Sequence, residues 1–512
     1  MVDKLASSKR LAKNSFLLYI RMIIVMIINL YVVRVVLKSL GVEDFGIYDV
    51  VSGIVTLLIS LSNVFSTATQ RFYSSYIGED KVKNLTSIFS ASINIYLILS
   101  IIAVLLGETI GLWFINTKLV IPYDRIVAAN WIYQFSIFSL ILTFLQIPYL
   151  AAMIANENLG VFALISTSES ILKLVTVLLI FNINGDGLVI YGLTLFLISI
   201  IVFFFYVIIG HMKYEECRYH RKVEKNLLKE MISFSGWSLF GSVAGVSINQ
   251  VITILINIFF GPSVNAARAI SIQFSLALTS LTSSFLLAVR PQMIKSYAEG
   301  SFLYLNKLFN LSNKLIYFSL LIVCLPLIFE MNIILFFWLN YVDPQTALFS
   351  KLILVYALIM SLNNPISIII QATGHVKEYH IAVEAITLLC APVTFFLFKL
   401  GYPAYSTYAV MIIATILAHG VRLILLEKFY PAFNFSHYIK SFLLPATLIT
   451  GISAFLIFLF SNIDINPLLR LLLEFVISIL TITILLYFLG LSKAEKLEMK
   501  NIFNYLKTKI AV

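Results

Sequence analysis

Apolar residues along this chain come in long, nearly unbroken runs, without the two-residue alternation of a half-buried strand. About 20 consecutive apolar residues cross the hydrocarbon core of a bilayer as a helix, and runs of that length recur from end to end. Short alternating segments, the signature of a barrel, do not dominate. The pattern predicts about fourteen spans, near 15–37, 46–67, 88–114, 126–153, 160–182, 187–210, 232–258, 266–289, 313–337, 349–372, 379–399, 405–425, 440–461 and 467–490. The expected fold class is an all-α polytopic membrane protein.

Charged residues between the runs give the orientation. Even-numbered connections carry Arg71, Lys81, Lys83, Lys213, Arg218, Arg221, Lys222, Lys225, Lys229, Arg290, Lys295, Lys307, Lys377, Lys428 and Lys440, and odd-numbered ones little beyond Lys38, Lys118, Arg125 and Lys399. Basic loops stay on the cytoplasmic side, so both termini are expected inside. Trp113, Trp131 and Trp338 fall at outer helix ends and Trp237 at an inner one, as interfacial anchoring predicts. The basic start (Lys4, Lys9, Arg10, Lys13) precedes a run too long for a signal peptide, which reads as a retained first helix.

The chain repeats itself. Pro148 is followed seven residues later by Ala155, and Pro365 seven later by Ala372, an offset of 217 in both cases. Glu169 and Glu384, each inside an apolar run, are 215 apart; Gly41 and Gly261, and Glu79 and Glu299, are 220 apart. Paired Pro-interrupted segments in the two halves of a membrane chain point toward a transporter's substrate path. An even number of spans per half gives both copies the same orientation. The predicted divisions are 1–210 for six spans, 211–230 for a basic cytoplasmic connector, 231–428 for six more, 429–490 for two appended spans, and 491–512 for a tail. In the tail, Met499, Ile502, Phe503, Leu506 and Ile510 recur at helical spacing among lysines. That suits the anionic inner leaflet, or else a partner helix.

A charge at the bilayer centre costs about 2.5–3.5 kcal/mol on insertion scales, so each intramembrane charge needs an explanation. Glu169 and Lys173 are four apart on the fifth span and can pair on one helix face. Either they fix packing, or Glu169 exchanges a proton while Lys173 answers to a substrate anion. Glu384 recurs without its lysine, since Leu388 takes that place. Arg21, two turns into the first helix, is a candidate for a cavity, and Arg34 suits the interface. Arg268 and Arg290, at the ends of the eighth span, are interfacial or bind an anion, for which the guanidinium fork suits phosphate oxygens. His419 and Arg422 sit near the end of the twelfth span. Arg470 and Glu474, four apart in the fourteenth, read as a structural pair, and Asp49 and Glu108 as exposed.

With 60% hydrophobic and 12% charged residues among 512, the chain cannot be a soluble domain. The net charge of +11 lies in short loops and does not indicate nucleic acid. Cys217, Cys324 and Cys390 have neither metal nor disulfide spacing. There is no Gly-x-x-x-x-Gly-Lys loop, no His-Glu-x-x-His and no Ser-centred nucleophile motif. No enzyme activity, metal or cofactor is predicted, and energy must come from an ion gradient or a partner. A membrane polysaccharide polymerase, the alternative from another class, would carry a large external loop, which this chain lacks.

The run Arg34-Val-Val-Leu37-Lys-Ser-Leu-Gly41-Val-Glu-Asp-Phe45-Gly46-Ile-Tyr48 resembles the opening signature of the Wzx-type O-antigen and capsule flippases. These are bacterial exporters within the multidrug/oligosaccharidyl-lipid/polysaccharide superfamily. Gly185 and Gly401, and the Pro148 and Pro365 segments, fit that pattern. The resemblance implies alternating access by two lobes hinged at Pro148 and Pro365. It also implies transfer of undecaprenyl-diphosphate-linked oligosaccharide to the outer leaflet of the inner membrane. A cationic cavity is implied for the diphosphate, with Arg21, Lys173, Arg268 and Arg290 as candidates and Glu169 and Glu384 coupling an ion. Arg268, in Ala266-Ala267-Arg268, is similar to a cavity arginine of lipid II flippases. Their paired first-helix arginines and second-helix arginine are absent here, which counts against a peptidoglycan precursor. Expected partners are the lipid-linked oligosaccharide, membrane lipids, a polysaccharide polymerase and a chain-length regulator. A cation-coupled drug exporter of the same superfamily is the alternative.

Overall fold

A computed structural model describes residues 2–77, 82–156, 158–180, 185–220, 227, 229, 231, 248–340, 342–493 and 495–497. Most of the seventh span, with Trp237, part of the connector, Glu79, Lys81 and the tail from residue 498 lie outside the described residues. Eleven helical stretches among the described residues are long and apolar enough to cross a membrane. The first of them, Arg21–Ile59, overlaps the first two predicted spans, which meet at Gly41.

The helices are α1 (Val2–Ile77), α2 (Val82–Leu106), α3 (Ile126–Ala155), α4 (Leu159–Ile180), α5 (Gly187–Lys213) and α6 (Ile248–Phe260). There follow α7 (Pro262–Ala298), α8 (Phe302–Phe329), α9 (Met331–Leu339), α10 (Pro344–Ser361), α11 (Asn363–Thr373) and α12 (Val376–Leu388). The last are α13 (Cys390–Lys399), α14 (Ser406–Phe429), α15 (Leu444–Ser461) and α16 (Pro467–Leu485). No strand occurs among the described residues. The reason is general: in hydrocarbon every backbone N–H and C=O must be satisfied within its own segment, which a helix does. The chain is a multi-pass, all-helical membrane protein.

Residues 1–270 with 388–407 form one compact unit, and 271–387 with 408–512 a second. In the first, α1 packs on α3 and α4, and α3 on α5. Its core includes Phe89, Tyr96, Tyr133 and Phe144, all buried, while Leu97, Ile98, Ile101 and Leu105 face outward. Tyr133 donates its hydroxyl to Gly107 O at 2.8 Å, where α2 widens into a π-turn over Gly107–Gly111. In the second, α8 packs on α10, α15 and α16.

Two of the matched glycines share a backbone conformation. Gly41 and Gly261 have φ of 81° and 82°, a left-handed region that side chains disfavour. Gly46, five residues further on, is needed for another reason: a Cβ there would overlap the carbonyl oxygen of Pro262.

One ion cluster ties the first unit's connections together. Arg125 donates Nε to Asp44 Oδ1 at 2.8 Å and Nη1 to Asp186 Oδ2 at 2.7 Å. Asp186 also caps α5, accepting from Leu188 N at 3.0 Å and Val189 N at 3.3 Å. The first, third and fifth connections thus meet at one end, as odd-numbered loops must.

Candidate functional site: two acid and arginine clusters

In the first unit the structure brings Arg21, Glu169 and Lys173 into one neighbourhood. Arg21 donates Nε to Ser166 Oγ at 2.5 Å, and its guanidinium carbon stands 4.5 Å from the centre of the Phe162 ring. Ser166 and Phe162 are presented by α4 one and two turns before Glu169, so one helix face carries all three. Glu169 Oε1 accepts from Lys173 Nζ at 2.6 Å, and the acid interacts electrostatically with both Arg21 and Tyr206 of α5. Glu169 and Lys173 are each 36% exposed, so the pair is not sealed. One carboxylate between two cations leaves one positive charge over. A guanidinium with free edge and a neighbouring ammonium suit the oxygens of a phosphate or carboxylate.

The second unit carries a corresponding arrangement around Glu384. Its Oε2 accepts from Thr387 Oγ1 at 2.8 Å, and its Oε1 lies 3.7 Å from His380 Nδ1. Arg422, on α14, interacts with it electrostatically and donates Nε to the Tyr379 hydroxyl at 2.9 Å. That hydroxyl is 2.5 Å from Ser367 Oγ. His419 Nδ1 meets Asn363 Oδ1 at 2.8 Å. Ser367 and Asn363 flank Pro365, which is buried in the first turn of α11, so the proline segment and the acid share one polar network. Pro148, in contrast, is buried inside the continuous helix α3.

Register explains the likeness. Gly185 and Gly401 are 216 apart, and at that same offset Tyr206 of the first unit matches Arg422 of the second. Each duplicated acid therefore faces the same position of the helix that follows. In the second unit that position supplies the cation; in the first it is a tyrosine, and Arg21 supplies the charge from α1.

The remaining candidates lie elsewhere. Arg268 is fully buried, donating Nε to Thr253 Oγ1 at 3.1 Å and Nη2 to Asn249 O at 3.2 Å, with Asp49 as an electrostatic neighbour. It fastens α7 to α6 and is not presented to an open surface. Arg290 is exposed and donates Nη2 to Gln371 Oε1 at 2.6 Å. The expectation that Asp49 and Glu108 are exposed is corrected: both are half-buried, and Glu108 accepts from Gln134 Nε2 at 3.0 Å. Arg470 is likewise paired with Glu330 and not with Glu474. Sequence reading missed Ser166, Tyr206, Tyr379, Asn363 and His380; the repeat offset was the available signal for Tyr206, and the position beside Pro365 for Asn363.

No metal-binding group of three or more His, Cys, Asp or Glu side chains occurs among the described residues. Cys217 lies on the connector, where burial, with Glu216 beside it, pushes the thiol up to about 12. A protonated, buried thiol is a poor nucleophile.

Comparison with solved structures gives the architecture a precedent. A lipid II flippase, MurJ in an inward closed conformation, superposes with a TM-score of 0.70 over 93% of this chain and 98% of its own, at 18% identity. An inward-facing multidrug resistance MATE family transporter of the MOP superfamily gives 0.68 over 80% of this chain and 95% of its own, at 12% identity. The fold is that of the MOP-superfamily transporters. An outward-facing MATE transporter also matches, at 0.61 over 82% of this chain. Among curated proteins, the uncharacterized membrane protein EpsK of Bacillus subtilis (strain 168) is 22% identical over 308 residues, 58% of this chain. The match spans 59% of the length of that relative. No family model matches the chain.

Proposed function

We propose that the protein is a flippase that moves undecaprenyl-diphosphate-linked oligosaccharide from the cytoplasmic to the outer leaflet of a bacterial inner membrane, with both termini cytoplasmic. The observation that carries this reading is the extent of the likeness. The MurJ fold covers 93% of the chain against 80% for the multidrug transporter, a difference of about the size of the appended pair of spans at 429–490.

The chemistry of the first cluster agrees with an anionic, lipid-borne cargo. Arg21 and Lys173 are assigned to the diphosphate, and Glu169, held between them, is displaced or protonated as the anion arrives. Arg290, exposed beside Gln371, is assigned to the same class of contact in the second unit. Glu384 and Glu169 are the coupling acids, and the Pro148 and Pro365 segments the hinges, of two six-span lobes, 1–210 and 231–428. Arg268 keeps a structural assignment. A polysaccharide polymerase and a chain-length regulator are the proposed partners in the membrane.

The test is leaflet distribution of the carrier. Right-side-out spheroplasts from a strain lacking the protein should accumulate lipid-linked repeats in the inner leaflet, and re-expression should restore outer-leaflet display. Normal display in the deletion strain overturns the reading. The MATE likeness favours one alternative, a cation-coupled drug exporter. Energised efflux of a cationic dye that requires Glu169 or Glu384, with no effect on the carrier, would select it.

A further inference from the structure

The appended helices carry a buried acid that the transport reading does not use. Glu474 of α16 is fully buried, and neither carboxyl oxygen has a hydrogen-bond donor. Its charged neighbours are Glu330, at the end of α8, and Arg470, one turn earlier on its own helix. The guanidinium is committed elsewhere. Nε of Arg470 is ion-paired with Glu330 Oε1, Nη2 donates to Glu330 Oε2 at 3.0 Å, and Nη1 reaches Ile463 O at 3.5 Å.

Among the described residues no other cation stands beside Glu474. α15, packed on α16, has no titratable side chain between Leu444 and Ser461. Asp464, in the turn before α16, adds a further negative charge beside Arg470. Along α8, Lys314 is bound to Glu495, Tyr317 shares a hydrogen bond with Thr450, and Cys324 is a buried thiol. The nearest hydroxyl on the next turn of α16, Ser478, donates to Ile322 O at 3.0 Å.

Two carboxylates against one guanidinium leave a negative charge over, within packed apolar helices where an unpaired ion costs several kcal/mol. A proton on the pair removes that charge and supplies the donor that Glu474 lacks, as in carboxylate dyads that share one proton. We propose that Glu474 and Glu330 bind one proton between them, which makes the junction of α16 with the end of α8 a proton-binding site separate from Glu169 and Glu384. An O–H bond forms on Glu474, the hydrogen bond runs to Glu330, and the three-residue cluster goes from one negative charge to none.

Infrared difference spectroscopy of the full-length protein in lipid nanodiscs tests this. At neutral pH the wild-type protein should show a protonated-carboxyl C=O band that shifts when its glutamates are isotope-labelled, an assignment that needs no variant. Glu474→Gln, isosteric with the protonated acid, should remove that band and keep the fold. Glu330→Gln frees Arg470 for Glu474 and should abolish the band at neutral pH. Absence of the band in the wild-type protein, its failure to shift with labelled glutamate, or its persistence in either variant overturns the proposal. None of these readouts depends on what the protein transports.

Discussion

Arg125 and Asp186, 61 residues apart, face each other with two guanidinium nitrogens engaged, Nη1 on Oδ2 at 2.7 Å and Nη2 on Oδ1 at 3.1 Å. Burial works against the Asp186 carboxylate, but hydrogen bonds from Arg125 and from the Val189 and Leu188 amides outweigh it and hold the carboxyl below its ordinary value. A depressed folded-state value stabilises the protein above the unfolded aspartate value of about 4, and that contribution is lost as pH falls through the folded value. Thermal unfolding in detergent should therefore show stability falling below about pH 4. In Asp186→Asn the fall should be shallower, and stability at neutral pH lower.

Arg422 and Glu384 are predicted to be coupled. Arg422 is buried and acts on Glu384 electrostatically, through space and not as a direct ion pair, so part of the cost of losing the guanidinium falls on the carboxylate it leaves behind. Arg422→Ala should destabilise the protein strongly, and Arg422→Ala with Glu384→Gln should recover part of the loss. Additive losses in the double variant would show that the two do not interact.

Arg21 is predicted to matter for transport more than for folding. Loss of a charge-assisted hydrogen bond costs about 1.5–3 kcal/mol, or roughly 10–100-fold in apparent affinity. Under the proposed function, Arg21→Ala should lower lipid-linked oligosaccharide flipping in proteoliposomes by that factor, with near-normal expression. Arg21→Lys keeps the charge but not the fork, and should fall between.

Gly46→Ala forces a methyl group against the Pro262 backbone. Overpacking typically costs about 1–3 kcal/mol, to be read as a lowered melting temperature. Gly41→Ala meets open space, and its cost, of order 1–3 kcal/mol for a left-handed non-glycine residue, is purely backbone strain. The atoms met at Gly46 are backbone, so shortening a side chain near Pro262 should rescue neither variant.

Cys217, Cys324 and Cys390 are all buried. The native protein should resist maleimide labelling at neutral pH and take up label only on denaturation. Rapid labelling of Cys217 in the native state would contradict its burial.

The helices were legible because lipid makes one demand, an apolar run of fixed length, and the chain meets it openly. The need for glycine was legible at Gly41 and Gly261, where the backbone turns at φ of 81° and 82°. Partners were harder to see. Lys173 was found for Glu169 because i,i+4 spacing on one helix is a local fact, but Arg21 comes to Ser166 from 145 residues away. Arg470 illustrates the same limit: local spacing pairs it with Glu474, while the tertiary fold gives it to Glu330. Arg268, read as a cavity residue, is a buried fastener between α6 and α7 because Thr253 and Asn249 face it one helix away.

The ion pair between Lys314 and Glu495 closes at 2.8 Å, with only 5% of the lysine side chain exposed. Burial opposes the Glu495 charge, yet the Lys314 hydrogen bond outweighs it and holds the carboxyl below its usual range. The segment after α16 is thereby a latch on α8. A chain shortened to end at Gly490 would strand the lysine's charge inside the bundle, so damage at the far end of the polypeptide would be felt in the second unit's interior.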